Sequence, residues 1–444
     1  MPKRTMLLLP LLLGCVLWTP AERSLAGGFD QGVQGARAPA MGTAFVGLAD
    51  DASAIFYNPA GIALLERRQG ISAAAHYAGT YLQYRFPEGR LSPSGEDSGR
   101  AYLKGGIPHI FYYRQFGKFS AGVGCYVPIG GVAGSWGRDV FGMDMTQMMA
   151  MASLTPSFSY ALTPKLSVGV GVNIYVGFMK AKVSFDRIPL GLFAPDVAAG
   201  LPDDQKYLPL KLKQRQTLTG VSFGYNAGIL YKPFKWLSLG ASMRAPGTKV
   251  KLTGPADIVV YLADPLALYL HSRAEMQFNL PYLATWGLAV RPIPNLVLLV
   301  DGQYNGWGRT DALELSFDGF NFFGMGVPFK QVTWTHYKDT VKFMVGGEYT
   351  FQERYSVRLG YMYTPTNLDD PQNVNYMGWD TTVHNACCGF GYAWDNFELH
   401  AFAVISIGEW TTKPLDDPAD PIGKPAGDYS LFAQNLGFGF FWYF

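Results

Sequence analysis

Phe432-Ala433-Gln434-Asn435-Leu436-Gly437-Phe438-Gly439-Phe440-Phe441-Trp442-Tyr443-Phe444 is the stretch whose reading decides the fold. Phe432, Leu436, Phe438, Phe440, Trp442 and Phe444 share one parity, while Gly437 and Gly439 fall on the other. Successive strand residues point to opposite faces, so one face of this segment is large and apolar and the other is kept small. A two-residue period running to an aromatic carboxyl terminus is the pattern of a strand closing an outer-membrane β-barrel. It implies outer-membrane lipid and the barrel-assembly machinery as partners.

The other end agrees. Lys3 and Arg4 precede an apolar run from Met6 to Trp18, and Ser24-Leu25-Ala26 offers small residues for cleavage, so residues 1–26 read as a signal peptide. The alternative is a lipoprotein signal at Leu12-Leu13-Gly14-Cys15; either way the product is exported. A net charge of +2 gives no support to a nucleic-acid partner. Charged residues are only 16%, yet no apolar run of 18 or more follows the signal, which argues against a helical membrane bundle. A closed sheet is the other way to satisfy every backbone group in lipid. Cys125 stands alone and Cys387-Cys388 are adjacent, a geometry that bridges only under strain, so free thiols are expected. No spacing joins them to histidines as metal ligands, and no cofactor is implied.

Alternation and turn residues mark candidate strands at 70–84, 102–115, 118–128, 153–162, 165–181, 213–231, 234–249, 272–291, 295–306, 340–351, 354–364, 382–394, 396–408 and 430–444. These are fourteen, an even number, as both termini on the periplasmic side require. Short turns such as Thr163-Pro164-Lys165 and Trp394-Asp395-Asn396 alternate with long connections at 85–101, 129–152, 182–212, 250–271, 307–339, 365–381 and 409–429. That asymmetry puts turns in the periplasm and loops outside. Residues 139–152 and 256–270 are expected to hold helices within the loops. Met143 and Met148 there are candidates for a first apolar landing surface, since unbranched thioethers adapt to varied shapes.

Residues 27–69 do not read as a strand. Gly35 to Gly47 is rich in small residues, Asp50-Asp51 is placed to cap a short helix from Ala52 to Tyr57, and Asn58-Pro59-Ala60-Gly61 stops it. A compact segment of this kind suits an internal plug, because fourteen strands enclose more space than wall side chains fill. The expected organisation is signal 1–26, hatch 27–69 and barrel 70–444.

The segments Gly28-Phe29, Gly35-Ala36-Arg37-Ala38, Gly42-Thr43-Ala44-Phe45 and Ala49-Asp50-Asp51-Ala52-Ser53-Ala54-Ile55-Phe56-Tyr57-Asn58-Pro59-Ala60-Gly61 resemble the amino-terminal hatch of the FadL-type (OMPP1/FadL/TodX) outer-membrane transporters. Asn58, Pro59 and Ala60 match that family's most characteristic motif, and Asn305-Gly306-Trp307-Gly308-Arg309 resembles its Trp-containing strand end. The resemblance implies a monomeric barrel plugged by the hatch. It implies passage of an apolar ligand, with long-chain fatty acids the commonest cargo and monoaromatic hydrocarbons or alkanes the alternative, and release sideways through the wall. Tyr126-Val127-Pro128-Ile129-Gly130-Gly131 is the candidate gate: Pro128 removes a ladder donor and Gly130 and Gly131 permit a bend. A plain strand end entering a loop is the other reading of the same residues.

Arg37, Phe56, Met143, Met148 and Arg244 are the candidate ligand contacts, with Arg273 and Lys342 as further cations able to meet a carboxylate. Asn58 is expected either to hold the plug through side-chain bonds to backbone or to cap a helix. His109, His271, His336, His384 and His400 lack catalytic or metal spacing. The rivals to a transporter are an outer-membrane enzyme, for which no Ser-His-acid set converges locally, a general porin, which a plug would block, and a structural barrel.

Overall fold

The structure, a computed structural model, describes residues 32–86, 97–136, 143–186, 188–189, 207–208, 210–263, 266–310, 312–322, 325–369, 381–412 and 427–444. The signal segment and the Gly28-Phe29 part of the hatch lie outside them. Eighteen hydrogen-bonded segments form one antiparallel sheet, and four of its strands are each interrupted once, giving fourteen. β1 (Gln69–Arg85), β2 (Ser98–Phe116), β3 (Phe119–Trp136), β4 (Met143–Thr163), β5 (Leu166–Phe185) and β6 (Lys211–Phe234) run uninterrupted. β7 (Leu237–Pro246, then Val250–Ala263), β8 (Leu266–Phe278, then Tyr282–Ile293), β9 (Leu296–Gly306, then Ala312–Phe322) and β10 (Met325–Trp334, then Thr340–Phe351) carry the breaks. β11 (Tyr355–Thr364), β12 (Val383–Ala393), β13 (Phe397–Thr412) and β14 (Gly427–Tyr443) complete the ring. β14 pairs with β1 from Gly70↔Tyr443 to Arg85↔Asp428, so the sheet closes on itself without an edge.

Parity sorts the side chains. On β5, Val168, Val170, Val172 and Val176 face outward, while Ser167, Asn173 and Tyr175 are buried within. Among the described residues no helix is long and apolar enough to cross a membrane. On β14, Phe438 is 71% exposed to the outside, and a Cβ on inward Gly439 would meet the Ala74 Cβ at 2.5 Å and the Ala36 Cβ at 2.8 Å.

The strand count expected from sequence is the count observed, but the strands are longer. β6 has 24 residues, whereas about 9–11 cross a bilayer; the excess continues outward as sheet. Two expected loop helices are corrected by this. Residues 143–152 belong to β4, and 256–263 and 266–270 are facing arms of β7 and β8, register Ala256↔Ser272, while 139–142 and 264–265 lie outside the described residues. Above the lipid belt the outward positions become polar or charged while the inward ones stay apolar, so an alternation continues that was sought only over membrane-crossing lengths. Met148 consequently sits on the outer parity, opposite Lys180, and the inward methionines are Met145, Met149 and Met151. The side chain of Met143 lies outside the described residues.

Residues 32–68 fill the periplasmic half of the lumen. They form a 3-10 turn at Ala38–Met41, a helical turn α1 at Ala54–Tyr57 and a second 3-10 turn at Pro59–Ala63. The helix begins later than expected: Asp51 accepts from Ser53 N at 2.7 Å and Ser53 Oγ at 2.6 Å, a local turn ahead of α1 instead of a cap on it. Asn58 leaves α1 in an extended conformation and Pro59 opens the next turn, so the expected stop is where the sequence puts it.

Among the described residues, two large apolar clusters occupy most of the interior. The lower one is hatch against wall, with Phe45, Ile55, Ile62, Phe111, Tyr126, Met344 and Phe441. The upper is built by the wall alone, including Met149, Met151, Tyr175, Met179, Met276 and Trp307.

Candidate functional site: the seated hatch, its cavity and the wall opening

The hatch backbone lies directly on the sheet at wall glycines. A Cβ on Gly346 would come within 2.3 Å of Met41 O, one on Gly360 within 2.2 Å of Gly42 N, one on Gly240 within 2.0 Å of Val46 O, and one on Gly169 within 2.4 Å of the Pro59 carbonyl carbon. Such approaches exclude every other residue type. Backbone brought this close to a wall must have its polar groups satisfied there.

Wall side chains do so. Asp301 on β9 accepts from Phe45 N and Val46 N, both at 2.8 Å. Ser238 donates to Gly47 O at 2.6 Å, Ser242 to Tyr57 O at 2.7 Å, Ser167 to Ala60 O at 2.8 Å and Asn226 to Ile55 O at 3.0 Å. Asn58, fully buried, combines both roles considered for it. Its Oδ1 accepts from Ala60 N at 3.2 Å, capping the 3-10 turn, and its Nδ2 donates to Val46 O and to Ile229 O of β6, each at 3.0 Å.

Arg37 is occupied by the wall and by the hatch itself. It forms a two-pronged pair with Glu348 of β10 (2.8 and 2.6 Å) and meets Asp50 at 2.6 Å. Glu348 is shared with Arg358 of β11 at 2.5 Å, whose Nη1 lies 3.1 Å from His400 Nδ1; His400 Nε2 in turn lies 3.1 Å from Glu398. Asp50 also reaches Arg291 of β8 at 3.3 Å. Burial opposes the charge on Arg37, but Asp50 and then Glu348 raise its guanidinium well above the usual range. The structure thus gives Arg37 to the hatch–wall lock and not to a cavity. Burial pushes the Asp51 carboxyl up to about 6, partly offset by Arg37 and Ser53.

Between hatch and wall lies a small cavity lined in part by Phe56, Tyr57, Arg244, Gln303, Lys342 and Met344. Phe56 and Arg244, named from sequence, meet here. The guanidinium stacks 4.0 Å above the Phe56 ring, donates to Phe56 O at 2.8 Å, and makes no ion pair among the described residues. Its Nε is buried without a partner. Arg273, by contrast, is on the outer face beside Thr253. Among the described residues no disulfide joins Cys125, Cys387 or Cys388, and the adjacent two point to opposite faces of β12.

At Pro128 the wall itself changes. β2 and β3 pair from Phe116↔Phe119 to Ile110↔Cys125 and resume at Lys104↔Ala133, leaving 105–109 and 126–132 outside the ladder. On the other side β3 shifts register against β4 between Tyr126 and Ile129 and again between Gly130 and Val132, the step that contains Gly131. Gly130 has φ +65, and a Cβ there would lie 2.1 Å from Met149 O. The hatch reaches this gap: Gln34 Nε2 donates to Val127 O at 2.8 Å, and Gly35 N donates to His109 Nδ1 at 3.0 Å. His76 Nδ1 is 3.4 Å from His109 Nε2. Sequence reasoning missed Gln34, His76 and Asp301. For His76 and Asp301 inward parity on a strand was the only signal, and a register was needed to use it; Gln34, in the hatch, gave none.

A family profile described as outer membrane protein transport protein (OMPP1/FadL/TodX) matches residues 19–405. A putative outer membrane protein of Neisseria meningitidis serogroup B is 34% identical over 110 residues, a match spanning 24% of this chain and 23% of that protein. Among solved structures, a FadL homologue of Pseudomonas aeruginosa superposes with TM-score 0.76 at 20% identity, over 94% of this chain and 100% of that one. The toluene transporter TodX of P. putida gives 0.72 at 16% identity, over 94% and 99%. The toluene transporter TbuX of Ralstonia pickettii gives 0.66 at 17%, over 93% and 98%. At these identities the structures speak for the fold alone, whereas the profile covers most of the chain: this plugged fourteen-stranded barrel belongs to the OMPP1/FadL/TodX family of outer-membrane transport proteins.

Proposed function

We propose that this chain, as a monomer, takes up hydrophobic compounds across the outer membrane, with long-chain fatty acids as the preferred cargo. The observation that carries the reading is the upper lumen, where inward-facing residues of nearly every strand form one apolar cluster above the hatch. A pore for polar solutes has a polar interior. A buried methylene is worth about 0.8 kcal/mol, so a long acyl chain lodged there gains on the order of 10 kcal/mol before ordering is counted. The ligand then moves to the cavity beside Phe56, where Arg244, without an ion pair among the described residues, suits a carboxylate. Release proceeds through the unladdered stretch between β2 and β3, with Pro128, Gly130 and Gly131 holding it open and movement of Gln34 and Gly35 uncovering it. Lateral exit into lipid keeps the ligand's apolar surface buried throughout.

A second reading, a monoaromatic hydrocarbon, is favoured by the methionines Met149, Met151, Met179 and Met276, since thioethers pack well on aromatic rings. The two are separated in cells lacking other hydrophobic-compound transporters, supplied with a labelled long-chain fatty acid and a labelled monoaromatic side by side. Saturable fatty-acid uptake that weakens in Arg244→Gln supports the first reading. Uptake of the aromatic alone, indifferent to that substitution, replaces it with the second.

A further inference from the structure

The outer wall is not uniform around the barrel. On β5 the outward residues Val168, Val170, Val172, Ile174, Val176 and Phe178 are apolar, and the next two are Lys180 and Lys182. Ten steps of about 3.4 Å along a strand tilted by about 45° rise roughly 24 Å, close to the height of the apolar band of such barrels. Lys180 therefore stands at the headgroup level, on the side away from the short turns, which is the outer leaflet. On β6 the apolar outward run ends with Phe223 and Val221, and above it come Arg215, Lys213 and Lys211.

The register sets these cations against one another. Lys182 pairs directly with Arg215, Lys180 with Thr217 and Ser184 with Lys213. Like charges opposite each other in a sheet are destabilising. Of the nearby carboxylates, Asp186 is held by Lys211 at 3.1 Å and Asp257, across from Arg215 on β7, by His271 at 2.7 Å, while Asp144, across from Ser184 on β4, makes no ion pair with Lys180 or Lys182. Lys213 lies 5.2 Å from the Tyr261 ring centre. Among the described residues Lys180, Lys182, Lys213 and Arg215 have no ion pair. The neighbouring wall over β7 to β10 balances its own charges, with Lys251–Glu275 at 2.7 Å, Lys330–Glu314 at 2.9 Å and Lys249–Glu314 at 3.6 Å.

We propose that the outward face of β5 and β6 is a binding site for the phosphate groups of a phosphorylated outer-leaflet glycolipid, the lipid A part of lipopolysaccharide. Two rows of cations at the headgroup level receive the phosphates, and Phe178, Val221 and Phe223 beneath them pack on its acyl chains. The anion supplies the charge complement that the protein withholds, and the barrel is held in one rotational relation to its lipid shell. This site is independent of the transport reading.

The test uses the purified full-length protein in detergent, titrated with bisphosphorylated lipid A, with its dephosphorylated form and with inorganic phosphate. Tight binding of the first alone is expected. The pair Lys182→Gln, Arg215→Gln should weaken it about tenfold or more, as loss of charged hydrogen bonds implies, while Lys251→Gln, Lys330→Gln on the balanced wall leaves it unchanged. Heat-modifiable mobility reports folding of each variant; should the pair fail to fold, Lys180→Gln and Lys213→Gln singly take its place. Equal binding of the dephosphorylated lipid, equal binding of inorganic phosphate, or unchanged affinity in the β5–β6 variants overturns the proposal.

Discussion

The two halves of the lumen solve the same problem, an interior too wide for a barrel wall to fill, by opposite means. The periplasmic half is filled with chain. Its hatch rests on glycines, its carbonyls and amides are taken one by one by Asp301, Ser238, Ser242 and Asn58, and Arg37 locks it to Glu348. The outer half is filled by the wall's own Met, Leu, Phe and Tyr side chains. Directional bonds are satisfied in one geometry and lost together, whereas apolar contact tolerates many. Fixed closure thus belongs to the lower half and adaptable occupancy to the upper.

The sharpest way to break that contrast is at the lock. Arg37→Met leaves Glu348 and Asp50 buried with fewer partners, and removal of one member of such a network destabilises by about 3–5 kcal/mol. The hatch should exchange its amide hydrogens far faster while the barrel strands keep their protection; equal protection in both would show that the lock is dispensable. Next is Gly360→Val, whose Cβ collides with Met41 and Gly42. Overpacking by about 1–3 kcal/mol or more should lift the hatch, read in planar bilayers as conductance absent from the native protein, and a silent channel would contradict the seat.

A subtler probe is pH. Asp51, ordinarily near 3.8 and here pushed up to about 6, keeps its proton longer in the seated hatch than when released. That preference is complete below about pH 4 and disappears as pH rises through 6, amounting to at most roughly 3 kcal/mol. Hatch protection should therefore fall between pH 4 and 6 and then level off, and Asp51→Asn should flatten the slope. The smallest effect is expected above: Met149→Leu conserves volume, so less than about 1.5 kcal/mol of stability should be lost, with a shift in relative uptake of differently shaped ligands. A large loss of stability there would mean that the upper cluster is as specifically packed as the hatch.

How much of this was legible in advance differs by residue. Gly437 and Gly439 could be assigned to a face that must stay small, but not to Phe402 and Ala36 as the reasons. Asn58 was readable from its motif, down to the alternatives of cap and clamp. Arg37 read as a cation available to a ligand because its partner Glu348 is 311 residues away. Asp301, a lone acid in a strand, offered no cue that two hatch amides would meet it. Where helices were expected, 143–152, 256–263 and 266–270 are strand, because polar outward residues above the membrane disguise a sheet that simply continues.

What the sequence by itself determined is everything local: the two-residue period, the number of strands, the places where they turn, the small-residue hatch and its Asn58-Pro59 stop. These follow from backbone geometry and side-chain size over a few neighbouring residues. Only the tertiary structure decided which charges are satisfied and which are left over, why Arg37 is ion-paired while Arg244, among the described residues, is not, where β2 and β3 part at Pro128, and that Lys182 faces Arg215. Each of those depends on register between distant strands, and a shift of one residue would turn every side chain to the other face.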